Sequence, residues 1–127
     1  MDKIRSSEII RITELVENLA GRFWQEFSSD DSADPTFSRW SASDVLHHLT
    51  TWVAYSRERL TAILDSAPIQ NIDDLEAFNR TAWDKGRALT VGDLPQRFAD
   101  ELGRYHNTVA RFSTDDFERT DLPTGFD

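Results

Sequence analysis

With cysteine absent from the 127 residues, His47, His48 and His106 are the side chains best suited to metal ligation or proton transfer near neutral pH. Two of them sit in the stretch Trp40-Ser-Ala-Ser-Asp-Val-Leu-His-His-Leu-Thr-Thr-Trp52. At about 100° per residue, Val45, Leu49, Trp52, Ser56, Leu60 and Ile63 fall on one narrow stripe of a helix. His48 lies at the edge of that stripe, with Asp44 and Trp52 one turn to either side. His47 projects to the opposite, polar side, which leaves His48 as the candidate. It reads either as a metal ligand or base at the mouth of a bundle, or as a packed residue with one or two hydrogen bonds. A catalytic transition-metal site takes about three protein ligands and keeps a position open, and this spacing supplies one. Asp44 could orient the ring or join it as a ligand, but Ser41 and Asp44 also form a capping-box start that engages the same oxygens. His106 falls just outside the apolar arc of its own helix and reads as a boundary residue. Asn79 and Trp83 could face a pocket, although core packing and an internal hydrogen bond explain them equally well.

The elements that must position these residues are helical. A first helix is expected over about Ser7 to Phe27, with Ile9, Ile12, Val16, Leu19, Ala20, Phe23, Trp24 and Phe27 on an arc wide enough for two packing neighbours. Ser28-Ser-Asp-Asp-Ser-Ala-Asp-Pro-Thr is aperiodic and reads as a loop. Its acids Asp30, Asp31 and Asp34 lack calcium-loop spacing. The second helix spans about Ala42 to Asp65 and ends at Ala67-Pro68. A shorter third helix follows from about Asp73 to Arg87, with acids in its first turn to favour the dipole, and Gly86 weakens its end. Thr90-Val-Gly-Asp93 has the pattern of a capping box before a fourth helix. There Leu94, Phe98, Leu102, Tyr105, Val109 and Phe112 fall within about 80° of arc, the cleanest amphipathic pattern in the chain. Ser113-Thr-Asp-Asp116 caps one further turn around Phe117. No segment alternates convincingly, so the fold class is all-α, three long helices and one short one in a single domain over 1–127.

The whole-chain totals narrow the function. A formal net charge of −9, with basic residues scattered among acids, argues against nucleic acid and anionic membranes as partners, since both demand clustered Lys and Arg. Arg57 and Arg59 read as a solvated helix face. No apolar run approaches the roughly 20 residues needed to span a bilayer, and the first residues do not resemble a signal peptide. A soluble, cytoplasmic protein is expected. Four Trp and eight Phe point to an aromatic core, part of which could line a pocket for a small molecule.

The Trp40-to-Trp52 motif, Phe78-Asn79 on a short third element and the amphipathic fourth helix together resemble the DinB-like superfamily, most nearly its ClbS/DfsB-type bundle proteins. The resemblance implies an up-down-down-up four-helix bundle. It also implies a divalent metal, zinc or nickel, between helices, with transfer or isomerisation chemistry or the sequestration of reactive toxic compounds. The family's first metal-binding histidine corresponds to His48. Its other two form a His-x-x-x-His pair on the last long helix, a pair this sequence lacks; helix four here corresponds to the family's penultimate helix. On that reading the chain is a shortened member, a piece of a longer one, or a bundle completed by another subunit. Apolar surface left without a fourth helix would be covered most simply by a homodimer. Two functions compete: a metal-dependent enzyme or small-molecule binder with His48 at its pocket, and a non-catalytic binding or self-association protein in which His48 is structural.

Overall fold

A computed structural model describes residues 2–28, 37 and 39–119. The elements are α1 (Lys3–Phe27), α2 (Ala42–Leu64), α3 (Leu75–Arg87), a 3-10 turn (Val91–Asp93), α4 (Leu94–Ala110) and the single turn α5 (Thr114–Phe117), with no β-strand among the described residues. The all-α reading holds.

Side-chain caps set most of the boundaries. Asp2 accepts from the Arg5 amide at 3.0 Å, which starts α1 four residues before the expected Ser7. The Asp2 amide in turn donates to the Phe112 carbonyl at 3.1 Å, tying the start of α1 to the end of α4. Ser41 and Asp44 form the expected capping box at α2, the Asp44 amide donating to Ser41 Oγ at 3.2 Å and the Ser41 amide to Asp44 Oδ2 at 2.9 Å. Ser113 and Asp116 repeat the device at α5. Asp74 caps α3 through the Ala77 amide at 3.0 Å. The expected cap at Thr90 does not form: Thr90 makes no side-chain bond to the turn, and the 3-10 turn leads directly into α4 with Pro95 in its first turn, where a missing N–H costs little. After α2 the chain reverses through Ser66 at φ 52°, and the Ala67 amide returns to the Ala62 carbonyl at 2.9 Å, a Schellman-type end with serine in the place glycine usually takes.

The helix α4 is the centre of the packing, with α2 on one side and α1 on the other, while α3 packs on α2. Five of the six apolar positions expected to line α4 are buried; Tyr105 is half-buried. The core joins Leu94, Phe98 and Leu102 of α4 to Leu46 of α2 and Ala20 of α1, with Trp24, Leu49, Val53 and Leu89 packed around them. On α2 the buried line therefore runs through Leu46 rather than Val45, and Ser56, which the periodicity placed on the stripe, is exposed.

Helix α1 departs further from its pattern. Its most closely packed positions towards α4 include small or polar residues: Ser6 and Ala20 are buried and Thr13 is half-buried, each seven positions from the next, while Ile9, Phe23 and Trp24 are also half-buried. The Ser6 hydroxyl donates to the Val109 carbonyl at 3.1 Å, and the Thr13 hydroxyl meets Nε2 of His106. Small side chains at heptad spacing let the two helices approach closely, and the polar pair fixes their register. The large apolar residues Ile12, Leu15, Val16, Leu19 and Phe27 remain exposed. The wide arc expected to meet two neighbours meets them along one edge.

Candidate functional site

His47 and His48 leave α2 in directions about 100° apart, as neighbours on a helix must. The side that holds His47 is not solvent. It is covered by α3, and the reading of His47 as a polar-surface residue is corrected. The cause is that α2 packs against α3 as well as against α4 and α1, so a side that periodicity leaves polar is α3's interface. The imidazole lies directly on the α3 backbone at Gly86. A Cβ there would collide with His47 Cδ2 and come within 2.7 Å of Cγ. Gly86 is thus the position that admits the ring. Burial depresses the His47 pKa. A bond to the Ala82 carbonyl partly offsets this, the nearby Arg97 lowers it again and Asp44 raises it. Thr51 Oγ1 lies 3.4 Å from Nε2.

A groove of about 700 Å³ opens above His47 between α2, α3 and α4. Ala54, Phe78, Ala82 and Leu89 give it an apolar floor. The charged walls are unevenly committed. Glu101 accepts from Arg57 at 3.1 Å and from Arg104 at 2.8 Å, and Asp100 accepts from Gln96 at 2.8 Å. Lys85 on α3 and Arg97 on α4 also line the groove, and neither makes an ion pair or hydrogen bond with a carboxylate among the described residues. The acids Glu58 and Asp93 line it as well. His48 is not among the lining residues.

His48 belongs instead to an aromatic chain. Its ring centroid is 4.8 Å from Trp40 and 6.1 Å from Trp52, and Trp52 continues to Tyr55 and Phe78 at 5.5 and 5.4 Å. Phe37 links Trp40 to Trp83 at 6.1 and 6.0 Å, with the Arg80 guanidinium 4.3 Å above its ring. The spacing of Trp40, His48 and Trp52 therefore has a packing reason: one tryptophan precedes the helix cap, the other follows His48 by one turn, and the imidazole is seated between them. Burial lowers the His48 pKa, and the neighbouring His47 adds to the effect.

Asp44 Oδ2 accepts the Ser41 amide, and His48 is enclosed by two indoles. Among the described residues no group of three or more His, Cys, Asp and Glu side chains could hold an ion. His106 is engaged by Thr13 in the α1–α4 contact, as a boundary residue would be. The acids Asp30, Asp31 and Asp34 lie outside the described residues.

No family model, curated protein or solved structure matches this chain. No helix among the described residues is long and apolar enough to cross a membrane.

Sequence reasoning missed the groove because its lining comes from three helices whose order in space periodicity does not give. One signal was available: Gly86, inside an otherwise regular helix, marks a close approach by something large. Among the described residues Asn79 Oδ1, Trp83 Nε1 and Trp40 Nε1 are buried with no hydrogen-bond partner, each a cost of about 1–3 kcal/mol where nothing else satisfies it.

Proposed function

We propose that this chain is a non-catalytic helical binding protein that takes a small amphiphilic acid into the groove between α2, α3 and α4, and that it self-associates. The apolar body of the ligand lies over Ala54, Phe78 and Leu89, and its acidic group meets Lys85 and Arg97. The observation that carries this reading is the pairing of an apolar floor with two cations that lack carboxylate partners on facing helices. Such a combination of enclosure and a few convergent polar groups is the usual character of a small-molecule site. His48 is structural. It serves as the middle ring of the aromatic packing that fixes the start of α2 against α3. Self-association is supported by the uncovered apolar side of α1.

The DinB-like family reading, with its up-down-down-up order, is part of the same proposal. The Ser41–Asp44 capping box and the seating of His48 between Trp40 and Trp52 support it. Metal chemistry at His48 is not part of it.

The test is calorimetric titration with 2-naphthoate, an aromatic carboxylate of the proposed class. Binding is expected in the unaltered protein. It should weaken at least tenfold in Lys85→Glu and in Ala54→Trp, which fills the floor, and persist in His48→Gln. Absence of binding, or binding that survives both groove substitutions, would overturn the reading.

A further inference from the structure

The uncovered side of α1 carries Ile4, Ile12, Leu15, Val16, Leu19 and Phe27, whose exposure ranges from 40 % at Val16 to 80 % at Ile4. At about 100° per residue they occupy roughly 140° of arc, and their span is about 35 Å at the helical rise. An apolar patch larger than a few hundred Å² marks an interaction site on a soluble protein. The order of the residues says what the stripe fits, because it reads the same from either end. About a midpoint between Leu15 and Val16, Ile4 corresponds to Phe27, Ile12 to Leu19 and Leu15 to Val16. A second α1 laid antiparallel therefore presents an apolar side chain at every level where the first one does.

Charge selects the same direction. Glu8 and Glu26 lie within the arc and Arg22 at its edge. A parallel pair would set Glu8 against Glu8 and Glu26 against Glu26, with the helix dipoles aligned. The antiparallel pair brings Glu26 level with Arg5 and Glu8 beside Arg22, and it opposes the dipoles. Self-complementarity under a two-fold is the requirement for an isologous contact, in which residue i meets j and j meets i.

We propose that the apolar side of α1 is the interface of a homodimer in which two copies pack α1 on α1 antiparallel, about a two-fold axis near Leu15 and Val16. This rests on the self-association proposed above and gives it a geometry. The contact leaves the groove between α2, α3 and α4 on the far side of each subunit, open to ligand.

The chain contains no cysteine, so single-cysteine variants at these exposed positions report the geometry directly. Sedimentation of the unaltered protein at tens of micromolar should show a dimer, and Leu19→Glu should raise the dissociation constant at least tenfold. Under mild oxidation Val16→Cys should link to its own copy. Neither Ile12→Cys nor Leu19→Cys should do so alone, because the two-fold separates each from its counterpart by about two turns. A mixture of the two should give the mixed disulfide. A monomer in sedimentation would overturn self-association and the interface together. A dimer in which Ile12→Cys links to itself, or in which none of the three variants links, would overturn the interface alone.

Discussion

His47 lies so close to the α3 backbone that a Cβ at Gly86 would meet its ring, and the pair supplies a sharp test of the structure at the scale of one residue. In an open helix, replacing glycine by alanine stabilises by about 1 kcal/mol. Here the new Cβ would meet the imidazole, so Gly86→Ala is expected to destabilise by about 1–3 kcal/mol, measured as a shift in the urea midpoint. His47→Ser should relieve the clash, and the double variant should recover most of the loss relative to His47→Ser alone. Titration gives a second test. Burial holds His47 and His48 below their ordinary value, so near and below pH 6.5 the unfolded chain binds protons that the folded chain refuses. Stability should then fall as the pH drops from 7 towards 5.5, and level off once the folded-state rings also titrate. His47→Gln should flatten part of that slope. An unchanged slope in this variant would show that the ring is exposed. Of the two histidines, the sequence singled out His48 by its place at the edge of the apolar stripe, a turn from Trp52, while the seat against Trp40 came from the structure. It could not reveal His47, because a helical wheel does not say which polar side another helix will cover.

At the scale of the element, α4 was readable almost completely. Its apolar positions at 4-4-3-4-3 spacing became the core because α4 lies between α1 and α2. The caps at Ser41 and Ser113 were readable for the same reason: capping is local, settled within four residues of chain. Helix α1 was readable in its extent to Phe27 and in Ala20 and Trp24 as inward residues, but not in how much of its apolar arc would be covered, since that depends on how closely it can approach α4. Ser6, Thr13 and Ala20 allow a close contact, and the Thr13–His106 and Ser6–Val109 bonds hold it. The larger residues Leu15 and Leu19 were left outside. The link between α2 and α4 is tested at Glu101, whose side chain is 14 % exposed and bridges Arg57 of α2 to Arg104 of α4. Glu101→Gln removes the charge that both guanidiniums share and is expected to cost about 1–2 kcal/mol. The loss should be smaller in an Arg57→Met background, where less positive charge is left uncompensated. A change within 0.3 kcal/mol would class the cluster with ordinary surface ion pairs.

For the whole molecule, the two uncovered features lie on different sides of the helix array and carry different chemistry. The side of α1 is apolar and ordered as a palindrome, which suits a second copy. The groove over α2 is mixed, with a floor of Ala54, Phe78 and Leu89 and, on its walls, Lys85 and Arg97, which have no carboxylate partner among the described residues, and this suits a small acid. Both follow from one fact of packing: each of α1 and α3 meets the α2–α4 pair along a single side. The net charge of −9 raises the cost of bringing an anion near, so binding of the acid should strengthen as salt screens the long-range repulsion, unlike binding to a broadly basic surface. The most direct test of the account is to map the binding of 2-naphthoate by amide chemical shifts in the intact protein. The account predicts that the perturbed amides cluster at Thr51, Ala54, Ala82 and Lys85 and converge on the groove. Perturbation centred instead on Trp40, His48 and Trp83, with the groove amides unmoved, would contradict it and return the site to the aromatic cluster.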